Sequence, residues 1–82
     1  MSENLLIQIF KKNLKLKLSE INALKKNKNI FFNIHKNWDS LTHVVLLNDI
    51  QKRFKIKIDE KNIKYFESYS LVKKFLKLKK KL

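Results

Sequence analysis

The stretch Asn37–Phe54, "NWDSLTHVVLLNDIQKRF", decides how the rest of the chain is read. From Ser40 onward, Leu41, Val44, Leu47 or Val45, Leu46, Ile50 and Phe54 keep helical spacing, with polar Thr42, Asn48, Gln51 and Lys52 between them. Asp39 sits where an N-cap acceptor belongs, and Lys52 and Arg53 occupy the last turn, where cations suit the helix dipole. The segment predicts a helix over Ser40–Phe54. Val45 and Leu46 widen its apolar stripe beyond one face, so part of that stripe is expected to stay exposed for a partner or ligand.

Working outward, "NLLIQIFKKN" (4–13) sets Leu5, Leu6, Ile9 and Phe10 at helical spacing, with Ser2 or Asn4 as its N-cap. "LKLKL" (14–18) and "FKIKI" (54–58) alternate with period two and could pair as strands. Each is only five residues long, and an isolated two-stranded ribbon is marginal in water, so extended loops seated on a helical core are the preferred reading. Residues 19–37 form a long connection in which "SEINAL" makes at most a turn of helix; a loop of that length in a small domain points to function. "DEKNIKYF" (59–66) predicts a short helix with Ile63 and Phe66 inward. A last helix is capped by Ser68 or Ser70 and carries Leu71, Val72, Phe75, Leu76 and Leu78, followed by a frayed basic tail over 77–82. The expectation is one all-α domain over 1–82, a small four-helix bundle with a long first loop and a short third helix.

Eighty-two residues, 44% of them apolar, are enough for a single modest core. The absence of cysteine removes disulfides, thiolate nucleophiles and cysteine-based zinc sites. No apolar run reaches the roughly 18 residues of a membrane span, and "MSENLLIQIF" lacks the marks of a signal peptide, so a cytoplasmic protein without stable membrane insertion is expected. The net charge of +13 ordinarily points to nucleic acid or an anionic membrane. Here nearly all of it is lysine, in a chain rich in Asn and Ile and free of Gly and Pro, the profile of an AT-biased coding sequence. The charge is therefore weak evidence of purpose.

A serine beside an aspartate at a helix start is most simply a capping feature. A hydrolase nucleophile is excluded: there is no G-x-S-x-G elbow, and His43 lies three residues along the same helix with no group to orient it. A phosphate esterified to Ser40 would instead lie by the first-turn amides, where anions are stabilised, and Asp39 could help ligate a metal ion during the transfer.

"WDSLTHVVLLNDIQKRFKIKI" resembles the centre of the acyl carrier protein (phosphopantetheine-binding) family, with Asp-Ser-Leu opening the second helix, then aliphatics, a Phe and an Ile-x-Ile segment. In many stand-alone carriers Trp precedes the Asp and a His follows two residues after the Leu, as Trp38 and His43 do here. "LKLSEINAL" (16–24) is similar to the loop after the first helix of that family and "YSLVKKFL" (69–76) to its closing helix, so the resemblance covers nearly the whole chain.

The resemblance implies a non-enzymatic, monomeric carrier. A phosphopantetheinyl transferase would attach 4'-phosphopantetheine to Ser40, and the arm would present thioester-bound acyl or aminoacyl groups to loading and transferring enzymes. It also implies an acyl chain sheltered between the second and third helices along Leu46, Ile50, Ile58 and Ile63, with Trp38, Leu41, Val44 and Val45 as further partner or chain contacts.

Two departures stand out. Asn37 occupies a position where the family usually has a small residue, and Asn tolerates left-handed backbone. Carriers are typically acidic on the outer face of their second helix, whereas this face shows Val45, Gln51, Lys52 and Arg53 with only Asp49 acidic. Like charges across an interface are costly, so a specialised carrier with an apolar or acidic partner site is expected.

Trp38 is expected to pack the long loop against the helix start, His43 to be a solvated helix residue, and the phenylalanines to be core. His35 and His43 carry no metal-site pattern. The rival reading is a small basic helical nucleic-acid-binding protein, which would need a basic stripe; the lysines are instead dispersed over all segments. A carrier fold without its modification, acting as an interaction module, is the third.

Overall fold

The computed structural model describes residues 2–82, Ser2 by its backbone alone. Four α-helices follow one another: α1 (Ser2–Leu14), α2 (Leu18–Lys25), α3 (Ser40–Phe54) and α4 (Tyr69–Leu78), with a 3-10 turn at Ile63–Phe66 before the last. Among the described residues there is no strand, only a single antiparallel bridge between Phe31 and Ser68. The all-α expectation holds.

The helix ends explain how a chain without glycine closes its helices. Lys15, Asn27, Lys55 and Lys80 all have left-handed backbone, with φ of 53, 68, 56 and 58°. The amide after each reaches back five residues: Leu16 to Lys11 O, Lys28 to Ala23 O, Ile56 to Gln51 O and Lys81 to Leu76 O. This is the Schellman closure, which usually recruits glycine because a Cβ is strained in that conformation. Three lysines and an asparagine do the work here.

These closures correct the sequence expectations in several places. α2 is a full two-turn helix in what reads as a loop; its Ile21 and Leu24 are buried, and the Glu20 carboxylate accepts from the Lys17 amide across its first turn. Leu18 opens that helix on its outer side, so only Leu14 and Leu16 of the alternating run reach the core. The short third helix shrinks to the 3-10 turn, because the Asp59 carboxylate accepts from the Lys61 and Asn62 amides and spends residues 59–62 on a side-chain-built turn. Phe66 is buried, but Ile63 stays 42% exposed rather than pointing inward. α4 is capped by Ser68, whose hydroxyl accepts from the Leu71 amide; Leu71 and Leu78 are exposed while Val72, Phe75 and Leu76 are buried. The basic tail is tied back by the last Schellman bond, and Leu82 packs against the core rather than fraying. At the other end, Asn4 lies inside α1 rather than capping it, and the Ser2 side chain lies outside the described residues.

α1 packs on α3, α2 on α1, and the 3-10 turn on α4. At the centre Phe10 of α1 meets Trp38 and Tyr69 edge-on, at ring-centroid distances of 5.4 and 5.1 Å, a favoured aromatic geometry. Polar ties join the elements at the rim: Asn13 Nδ2 donates to Asp49 Oδ2 between α1 and α3, and Tyr69 Oη donates to Glu3, which also pairs with Lys73 at 2.9 Å, between α1 and α4. Among the described residues no buried side-chain nitrogen or oxygen lacks a partner. The radius of gyration, 11.6 Å, is that of a folded chain of this length, about 11.7 Å. Among the described residues no helix is long and apolar enough to cross a membrane.

Candidate functional site

The amino end of α3 is built from the loop before it. Residues 29–33 pair with 67–69 through Phe32 N–H to Glu67 O and Tyr69 N–H to Ile30 O, and Asn29 Oδ1 accepts from the Ser70 amide, pinning the loop to the start of α4. The chain then reverses through Asn33, whose φ is 66° and whose amide donates to Trp38 O. The left-handed residue of this loop is therefore Asn33; Asn37, expected in that role, keeps ordinary backbone. Its amide donates to His35 Nδ1 and its side chain to Leu14 O at 2.8 Å, tying the loop to the end of α1. His35 Nε2 meets Glu20 of α2 at 2.6 Å, so that histidine is committed to holding loop and helix together.

Asp39 caps α3 from extended backbone, its Oδ1 accepting from the Thr42 amide at 2.9 Å. That amide, foremost, holds its carboxyl below the usual range, so it is an anion at neutral pH. Ser40 follows as the first helical residue; it is exposed, and among the described residues its hydroxyl has no hydrogen-bond partner. Beside it lies a polar cleft of about 160 Å³ with Lys15 and Lys36 on its walls. Trp38, one residue upstream of Asp39, is fully buried and offers nothing to a partner at the surface.

His43 corrects the sequence reading. Instead of standing in solvent it stacks on Phe32, with ring centroids 4.0 Å apart, and its Nδ1 accepts from the indole N–H of Trp38 at 2.9 Å. That bond needs the neutral ring protonated on Nε2. Burial pushes its pKa down, with the Glu67 carboxylate opposing.

α3 carries two apolar faces. Leu46, Leu47, Ile50 and Phe54 are buried, whereas Leu41, Val44 and Val45 are 76, 57 and 50% exposed and share one side at i, i+3 and i+4. Asp49, the one acid expected on the outer face, is half-buried against Asn13. That leaves Asn48, Lys52 and Arg53 as its exposed polar groups. A second apolar surface, a cleft of about 480 Å³ lined by Phe31, Phe32, Ile34 and Leu71, is bordered by the same Phe32 ring that stacks on His43. Of the residues expected along an acyl chain, Leu46 and Ile50 lie within the core, Ile58 is half-buried and Ile63 is at the surface. Among the described residues no three His, Asp or Glu side chains gather as a metal site.

No family model, curated protein or solved structure matches the chain.

Proposed function

We propose that the chain is a carrier protein of acyl-carrier type, bearing a 4'-phosphopantetheine arm on Ser40 and presenting thioester-bound acyl or aminoacyl groups to partner enzymes. The observation that carries the reading is the exposed, unengaged hydroxyl of Ser40 at the first position of a 15-residue helix, directly after a capping aspartate. A phosphodiester on that oxygen would lie next to the first-turn amides and the positive end of the helix dipole. Asp39, ionised and fully at the surface, can share a divalent cation with the incoming pyrophosphate during transfer. The all-helical order is compatible with the reading, with α2 inserted in the connection between α1 and the helix that opens on Asp-Ser-Leu, and a 3-10 turn before the closing helix.

The chemistry of the carried group is that of the arm's terminal thiol. This chain contributes the anchor, the exposed apolar strip of Leu41, Val44 and Val45 beside it, and the apolar cleft bordered by Phe32. Both surfaces lie within a turn or two of Ser40, so an apolar chain on the arm has protein to lie against without opening the core. The one acid of the outer face of α3, Asp49, is half-buried against Asn13, which suits a partner whose docking site is apolar or acidic.

The test is intact-mass spectrometry after incubation with coenzyme A, magnesium and a broad-specificity phosphopantetheinyl transferase. The expected result is a gain of one phosphopantetheine that disappears in Ser40→Ala. A polypeptide that no transferase modifies would overturn the reading.

A further inference from the structure

The fold segregates charge that the sequence scatters. Residues 21–37 and 68–82 together contain ten of the 19 lysines and none of the seven acidic residues. The structure brings these two segments side by side, where the turn after α2 faces α4 across a cleft of about 260 Å³. Asn27 and Lys28 line it from the turn, and Ser70, Lys73, Lys74 and Lys77 from α4. Among the described residues the one carboxylate in contact with this group is Glu3, which pairs with Lys73 and accepts from Tyr69. Lys28, Lys74 and Lys77 therefore have no anionic partner in an ion pair among the described residues. Lys73 and Lys77 are four apart on one helix and Lys74 and Lys77 three apart, arrangements in which like charges repel. A concave surface that gathers mutually repelling ammonium groups from two distant segments is stabilised by an anion that bridges them.

We propose that this cleft binds a compact, multiply charged phosphate group. Its volume suits one or two phosphates rather than the length of a polymer, and ammonium groups converging from two walls match phosphate oxygens as point charges. Asn27 and Ser70 supply neutral donors for the remaining oxygens. The site lies away from Ser40 and does not rest on the carrier reading. Ser40→Ala leaves it intact, and loss of the cleft leaves modification of Ser40 intact.

The experiment titrates the full chain with inorganic tripolyphosphate at fixed ionic strength, followed by amide NMR shifts and calorimetry. Two double variants of equal net charge are compared with the parent: Lys28→Gln/Lys77→Gln in the cleft and Lys52→Gln/Arg53→Gln on α3. Shifts should concentrate in residues 24–28 and 69–77. The cleft variant should raise the dissociation constant about tenfold, the loss of two partly screened charge-assisted contacts, and the α3 variant less than about twofold. Co-sedimentation with phosphatidylcholine vesicles containing phosphatidic acid identifies the source. Vesicle binding lost only in the cleft variant assigns a lipid headgroup, whereas discrimination seen with tripolyphosphate alone assigns a free phosphate ester. Equal losses in both double variants, or shifts spread over every lysine-bearing segment, would mean diffuse attraction of polyanions, nucleic acid included, and would overturn the site.

Discussion

The buried indole N–H of Trp38 donates to Nδ1 of His43, and this one bond joins the end of the long loop to the second turn of α3. Its acceptor exists only while His43 is neutral. The folded protein holds the ring below its ordinary pKa of about 6.5, so the unfolded chain binds the proton more readily. The contribution is then complete above about pH 6.5 and is lost as pH falls toward the lower folded value. Denaturant melts followed by the emission of Trp38, the sole tryptophan, should show stability declining from pH 7 to 5. In His43→Gln, which keeps an acceptor but cannot titrate, that part of the decline should vanish. Identical slopes in the two proteins would refute the coupling.

Glu3 works in the opposite part of the pH scale. Lys73 first, with Tyr69 assisting, holds its carboxyl below the ordinary range, so its contribution is present above that range and fades as acid protonates it. Glu3→Gln should melt earlier than the parent at pH 7 and converge with it near pH 3. A constant gap across that interval would show that the ion pair does not join α1 to α4 energetically.

What the sequence discloses and what it hides follow from the range of the interactions. α3 is legible to the residue because its apolar period, its Asp39 cap and its terminal Lys52 and Arg53 are all local. α2 is not, because the alternation of Leu14, Leu16 and Leu18 imitates a strand; the pair Ile21 and Leu24, with Glu20 three places after Lys17, was the available signal. The place of Ser40 at the helix start is legible because its setting, the Asp39 cap, is the adjacent residue. The stacking of His43 on Phe32 and the meeting of Lys28 with Lys73–Lys77 could not, since each joins residues far apart in the chain through loops without glycine or proline to mark the turns.

Left-handed lysines make a direct prediction about stability. At Lys55 the Cβ is strained against the backbone for the sake of the closure that ends α3, and its side chain is exposed. Lys55→Gly should stabilise the protein by about 0.5–1 kcal/mol, the relief of strain less the entropy gained by the unfolded chain. Thermal midpoints should rise by about 2–8 °C. A lower midpoint would mean that the lysine stem packs more usefully than its backbone conformation costs.

Charge on the outer face of α3 should be visible in modification kinetics. Lys52 and Arg53 stand exposed there, and Asp49, the one acid within a helical turn of them, is half-buried against Asn13, so a transferase with a strongly basic groove should act slowly at low salt and faster as salt is added. A transferase with an apolar or acidic groove should show the reverse or no salt dependence. Equal efficiency of both at low salt would remove the argument for a specialised partner.

Asp39 and Ser40 are adjacent, yet they should separate cleanly in their effects. Removing the cap in Asp39→Ala leaves the Thr42 amide without its acceptor and exposes the first turn of α3, so the melting midpoint should fall. Ser40 touches nothing that holds the fold, and Ser40→Ala should stay within about 0.5 kcal/mol of the parent, the range of an ordinary surface change. Modification should run the other way: abolished in Ser40→Ala at full stability, reduced but detectable in Asp39→Ala wherever the helix start remains formed. Asp39→Asn keeps a side-chain acceptor for Thr42 while losing the charge. If Asp39 helps hold the metal during transfer, this variant should melt close to the parent yet be modified slowly, and added magnesium should recover part of the rate. If Asp39→Asn is modified as fast as the parent, the carboxylate is a cap and nothing more.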